Sequence, residues 1–201
     1  MSSVARVFPP EPSPEPIFRL SVKQYHAMID AGVLSDDDPV ELLEGMLVFK
    51  MLKKPQHRLA LRKLYKALNP LLPTGYFLQT QEPITLDNGE PEPDAAVIKG
   101  DDEDFALRHP SPHEVPLVIE VADTTLGRDR GIKLRSYAAA SIPVYWIVDL
   151  TGRAIEVYQV SQSASARPGY AERKRFAEDE SIPVTLLGTT IGEIVVKNIL
   201  P

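Results

Sequence analysis

The sequence predicts an α/β protein of mixed α+β type, with one mixed β-sheet flanked by helices. Two continuous apolar runs, "PLVIEVAD" and "PVYWIVDL", read as strands buried on both faces. Between them, "RDRGIKLRSYAAA" has the length and composition of a helix. Such a strand–helix–strand unit makes a parallel pair with a right-handed crossover. The next stretch, "RAIEVYQV", alternates apolar and polar residues, as an antiparallel strand does, and is expected at a sheet edge. Parallel and antiparallel pairs together make the sheet mixed.

The elements follow in order. Residues 1–16 hold five prolines among Ser, Glu and small residues, a composition expected to leave a disordered or extended arm. Residues 17–201 are expected to fold as one domain without internal repeats. In "SVKQYHAMIDAGVL", Ser21 is placed to cap a helix, Val22, Tyr25, Met28 and Ile29 recur at helical spacing, and Gly32 stops it. "PVELLEGMLVFKML" reads as two short strands around a Glu44–Gly45 turn. "HRLALRKLYKALNPLL" is a helix with an apolar stripe of Leu61, Leu64, Tyr65 and Leu68, and Arg58, Arg62, Lys63 and Lys66 beside it. "YFLQTQEPITL" reads as a strand bent at Pro83, and "DAAVIKG" as a short apolar strand beginning at Asp94. "DDEDFALRHPSPHEV" is a polar connection. Strands near 94–99, 116–122 and 143–149 are then neighbours, with a helix near 127–140 crossing between the last two. "SQSASARPG" reads as a flexible loop, and "YAERKRFAEDESIPVTLLG" supplies one or two late strands.

Composition removes several function classes. No cysteine is present, which excludes disulfides and thiolate metal sites. No apolar run approaches the roughly 18–20 residues a membrane span needs, and the N-terminus lacks a hydrophobic signal core. The expected compartment is the cytoplasm. P-loop, dinucleotide-binding, nucleophile-elbow and Cys/His zinc motifs are all missing. The net charge of −6 argues against a protein whose whole surface grips nucleic acid. The charge is segregated, however. From Lys50 to Lys66 there are seven Lys or Arg and no acid, set against acidic clusters in "DNGEPEPD" and "GDDEDF". The basic run is either a solvated helix face or an element that tracks phosphates.

The chemistry turns on Glu120, a carboxylate amid Leu117, Val118, Ile119 and Val121. A charge in such a strand must be paired, metal-bound or neutralised. Asp94 opens the preceding apolar strand, and adjacent strands lie about 4.8 Å apart. Two such carboxylates suit one hard cation, and Mg²⁺ takes one or two carboxylates plus waters and phosphate oxygens. A buried ion pair between Glu120 and a Lys or Arg is the other arrangement. On the following helix Asp129, Lys133 and Tyr137 stand at i, i+4 and i+8, along one face. That face either points Lys133 at the strand ends, where an ammonium stabilises developing phosphoryl charge, or carries a plain Asp129–Lys133 surface pair.

The ordered set "VELLEG", "EPEPDAAVI" and "LVIEVADTTLGRDRGIKLRSYAAASIPVYWIVDL" resembles the Uma-type restriction endonuclease family of the PD-(D/E)xK nuclease superfamily, over roughly residues 17–160. The resemblance implies a restriction-endonuclease-like core and a metal-dependent DNA endonuclease. Asp94 and Glu120 match the metal-binding acids, with Mg²⁺ or Mn²⁺ as cofactor and DNA as partner. The superfamily motif places Lys two residues after the acid, where this chain has Ala122; Lys133 is then the lysine migrated to the next helix. "KLRSY" resembles the QxxxY element of one nuclease branch, which brings in Tyr137. Glu41 matches a recurrent family acid, or is a solvated strand end. His57 resembles a family histidine, or is a helix cap or surface residue. Asp123 is expected to support the loop after Glu120, and Trp146 to be core. Three readings stay open: a nuclease, expected as a homodimer because cutting both strands commonly takes two sites; a catalytically inactive fold that binds nucleic acid or a partner; and a purely structural α/β protein, in which Glu120 is explained only as half of an ion pair.

Overall fold

The computed structural model describes residues 16–35, 37–164 and 166–201. The proline-rich arm therefore lies outside the described residues, except for Pro16. Helix α1 (Val22–Asp30) is capped by Ser21, whose hydroxyl and amide exchange hydrogen bonds with Gln24. Strands β1 (Val40–Leu43) and β2 (Met46–Phe49) form an antiparallel hairpin. Its turn is the expected Glu44–Gly45, both at positive φ (48° and 77°), as a two-residue hairpin of right-handed twist requires. Helix α2 (Pro55–Leu68) follows, opened by Pro55, which lacks the amide that a first turn leaves unbonded anyway.

Six strands make the main sheet in chain order: β3 (Tyr76–Gln79), β4 (Ala95–Lys99), β5 (Leu117–Ala122), β6 (Val144–Asp149), β7 (Ala154–Gln162) and β8 (Gly169–Ala177). Only β5 and β6 pair in parallel; the rest are antiparallel. The sheet is mixed, as expected, and 94–99, 116–122 and 143–149 are neighbours. The β5–β6 crossover begins as α3 (Leu126–Arg128), widens into a π-helical turn at Asp129–Lys133, and returns to α geometry as α4 (Leu134–Ala139). A second hairpin, β9 (Ser181–Leu186) and β10 (Thr189–Val195), stands outside the main sheet.

Strand alternation sorts the core into two layers. Leu117, Ile119 and Val121 of β5 and Val144, Trp146 and Val148 of β6 pack with Ala60, Leu64 and Leu68 of α2 and with β9–β10. Val118 and Ala122, with Tyr145 and Ile147, pack with Tyr137 of α4 on the other face. Glu120 falls in the second set, beneath the crossover helices. Trp146 is core, fully buried.

Several expectations need correction. The strand "YFLQTQEPITL" ends at Gln79, and only a single bridge, Leu86 to Gly89, follows. "RAIEVYQV" is antiparallel but interior, because β8 pairs along its outer side. The true edge, β8, exposes consecutive residues including Glu172, Arg173, Lys174 and Arg175, the charge that keeps an edge from pairing further. Tyr65 is 43% exposed, and Ala60 and His57 take its place on the buried stripe of α2. Strand β10 was not expected. No helix among the described residues is long and apolar enough to cross a membrane.

Candidate active site

The antiparallel register of β4 on β5 builds the site. Ala95 pairs with Ile119, so the next residues outward, Asp94 and Glu120, stand opposite each other. The β4–β5 ladder ends at Ala95–Ile119, and the Val121 amide beyond it is satisfied by a side chain. The Asp94 side chain takes it: Val121 N donates to Asp94 Oδ2 at 2.8 Å. The same oxygen meets His57 Nε2 at 3.0 Å, from the first turn of α2.

The crossover supplies the rest. Lys133 Nζ donates to Glu120 Oε1 at 2.8 Å, and Tyr137 Oη donates to the same oxygen at 2.7 Å. The i, i+4 pair therefore converges on Glu120 as the spacing implied. Asp129 does not join it; Thr125 Oγ1 donates to its carboxylate at 2.6 Å, and the π turn separates it from Lys133. The surface Asp129–Lys133 pair is thus overturned, and both residues are buried. Glu41 is also buried, not a solvated strand end. It lies 3.4 Å from Lys133 Nζ and 3.8 Å from Arg128, and it accepts from the Glu92 amide at 3.1 Å. The β1–β2 hairpin brings it there: Glu90 N donates to Leu42 O, and Gly89 sits so close that a Cβ would lie 2.7 Å from that carbonyl. Asp123 pairs with Lys54 at the rim.

All six residues singled out (Glu41, His57, Asp94, Glu120, Lys133 and Tyr137) meet at one cleft or beneath it. The cleft encloses about 60 Å³, more than the roughly 10–15 Å³ one water needs. Sequence reasoning missed Glu92, whose carbonyl accepts from Lys133 at 3.4 Å and whose carboxylate holds Lys50 and Lys53 at 2.5 and 3.3 Å. It also missed Arg128, which bonds the Phe49 carbonyl at 2.7 Å. The alternation of acid and proline in "EPEPD" was the available signal for Glu92.

The floor is rich in acids: Glu41, Asp94, Glu120 and Asp129 are buried, and Lys133 is the buried lysine among them. Burial pushes Glu120 up to about 8 against the pull of Lys133, with Asp94, Asp129 and Glu41 adding to the push. Burial likewise raises Asp129 to about 6, with the Thr125 bond opposing it. Burial works to raise Asp94 too, but the His57 contact and the Val121 amide outweigh it and hold Asp94 below the usual range. Burial would depress Lys133, yet Glu120 and Glu41 keep it above the ordinary lysine value.

Among the described residues, no group of three His, Asp or Glu side chains stands ready for a metal ion. The donors on offer are two. Every hydrogen bond described to the carboxylates of Asp94 and Glu120 uses Oδ2 and Oε1. Asp94 Oδ1 and Glu120 Oε2 carry no described hydrogen bond, and both residues line the cleft. Two carboxylates at a cleft with room for water suit Mg²⁺ or Mn²⁺ better than zinc, which takes three or four protein ligands.

A family model described as "Putative restriction endonuclease" (Uma2) matches residues 22–191. The chain belongs to this family. The crystal structure of a putative nuclease belonging to DUF820 from Anabaena variabilis superposes with a TM-score of 0.64, over 90% of this chain and 97% of that one, at 14% identity. At that identity the likeness establishes the fold, which is nuclease-like. No curated protein matches the sequence. The resemblance carried by "EPEPDAAVI" and "LVIEV" thus holds over most of the chain.

Proposed function

We propose that the protein is a metal-dependent endonuclease that hydrolyses phosphodiester bonds in DNA. The observation that carries this reading is the opposed pair Asp94 and Glu120 at the cleft, each with one oxygen held by the protein and the other without a described hydrogen bond. These two residues would hold Mg²⁺ or Mn²⁺, which when bound polarises a phosphate and activates water. His57 and the Val121 amide orient Asp94. Tyr137 and Lys133 orient Glu120, so the second oxygen of each carboxylate has a fixed direction. Lys133 has three donors, and Glu120, Glu41 and the Glu92 carbonyl surround them. To meet a phosphoryl oxygen or the attacking water it gives up one of the two contacts at 3.4 Å, which are the weak ones. Glu41 and Glu92 therefore place the ammonium, and Lys133 stabilises charge at the phosphate.

A second reading has an observation of its own. Lys133 and Tyr137 already satisfy Glu120 without an ion, as in a buried ion pair of a catalytically inactive, nucleic-acid-binding descendant. A nuclease assay separates the two, using linear, supercoiled and single-stranded DNA with Mg²⁺ or Mn²⁺. The wild type cuts only with metal, and Asp94→Ala does not cut. No cleavage by the wild type on any DNA selects the second reading, and equal cleavage by Asp94→Ala removes Asp94 from the chemistry and overturns the proposed site. One domain over residues 17–201, a cytoplasmic location and a homodimer belong to this proposal.

A further inference from the structure

Residues 50–54 join β2 to α2 along one wall of the cleft, and they are tied down at several points. Arg128 holds the Phe49 carbonyl, Glu92 on the floor holds Lys50 and Lys53, and Lys54 reaches Asp123 at 3.0 Å. Between these ties the tip, Met51–Leu52, is left in solvent, with Leu52 95% and Met51 49% exposed. Singly exposed apolar residues are ordinary; an apolar tip anchored by three lysines over a polar cleft is a different object. Helix α2 follows at once, and its first turn bonds Asp94 through His57. From that turn Arg58, Arg62 and Lys66 run outward at i, i+4 and i+8, all exposed, and no ion pair is described for any of them. They span about 12 Å of helix axis, the axial rise of three to four phosphates on one strand. Lys63, which sequence reasoning grouped with them, instead donates to the Leu200 carbonyl.

Resting on the nuclease reading, we propose that this loop is a wedge. Leu52, supported by Met51, inserts at a base step beside the scissile phosphate, while Arg58, Arg62 and Lys66 grip the phosphates that lead away from it. Leu and Met are among the side chains that unstack base steps, and unstacking costs least where pairing is already broken. The preferred substrate is therefore DNA with an open base stack at the cut, rather than intact duplex. The basic row of Arg58, Arg62 and Lys66 complements a polyanion, and Met51 and Leu52 line the carboxylate cleft, which places the tip beside the point where a scissile phosphate must sit.

The test reads binding in EDTA, so that it stands apart from cutting. The full-length chain is titrated into a 2-aminopurine duplex, fully paired or carrying a two-nucleotide bubble at the probe. The wild type should raise the fluorescence of the paired probe and bind the bubble about tenfold more tightly. A Met51→Ser/Leu52→Ser variant, unchanged in melting temperature because both side chains are exposed, should lose both effects. Arg58→Ala, Arg62→Ala and Lys66→Ala together should weaken binding to both DNAs equally and reduce the salt slope by about 2–3. A Ser variant that behaves as wild type overturns the wedge. So does wild-type binding without a fluorescence rise or bubble preference, or binding to phosphatidylserine vesicles in place of DNA. If these binding results hold and metal-dependent cleavage fails, the nuclease reading falls and the wedge stands.

Discussion

At Glu120, burial disfavours the charge, Lys133 favours it, and three neighbouring carboxylates oppose it; the balance lies near pH 8. In the unfolded chain a glutamate gives up its proton near 4.5. Between about 4.5 and 8 the folded state therefore holds a proton that the unfolded state has lost, so stability falls as pH rises through that window and levels off above it. The melting temperature without metal should show this fall, and Glu120→Gln should flatten it. Lys133 is separable from the ion. Lys133→Met leaves Glu120 and Glu41 without their buried cation and should cost on the order of 3 kcal/mol at pH 8, read by urea unfolding. Metal should still stabilise this variant, while cleavage drops by roughly 10²-fold or more. Wild-type cleavage by Lys133→Met would remove Lys133 from the chemistry.

The crossover shows which elements were legible and which were not. Continuous apolar runs fixed β5 and β6 and the helix between them, and the carboxylate misplaced in one run marked the site. The π turn was invisible, because an extra residue in a helix leaves the spacing of its polar residues unchanged while altering what they face. Hence the spacing brings Lys133 and Tyr137 to Glu120, the first of the two arrangements it allowed, while Asp129 turns to Thr125. Glu41 and His57 could be matched but not located, since their burial depends on how the β1–β2 hairpin and α2 dock, a tertiary matter. The hairpin's docking has its own test. Gly89→Ala puts a methyl 2.7 Å from the Leu42 carbonyl, backbone that cannot swing aside. It should cost about 1–3 kcal/mol and lower cleavage by shifting Glu41. Gly127→Ala in α3 meets nothing within 4 Å and should be neutral or stabilising by up to about 1 kcal/mol. Equal stability losses in chemical denaturation would mean that the close approach at Gly89 is not what holds the hairpin.

Across the whole molecule, the two apolar layers clamp the sheet so that the ends of β4 and β5, the start of α2 and the crossover share one cleft. Four buried acids there face one buried lysine, and burial keeps a proton on Glu120 up to about pH 8, a proton that a bound cation displaces. The central claim is that Asp94 and Glu120 take that cation, and thermal unfolding with and without Mg²⁺ or Mn²⁺ tests it most directly. At about 100 times its dissociation constant the ion stabilises the folded state by about 2.7 kcal/mol, which for a chain of this size is a rise of roughly 5–10 °C. The wild type should show that rise at pH 7. Asp94→Asn and Glu120→Gln, each melting normally without metal, should show none. A wild type whose melting temperature ignores both ions, or a Glu120→Gln variant that gains as much as the wild type, would contradict the account and leave Glu120 as half of a buried ion pair with Lys133.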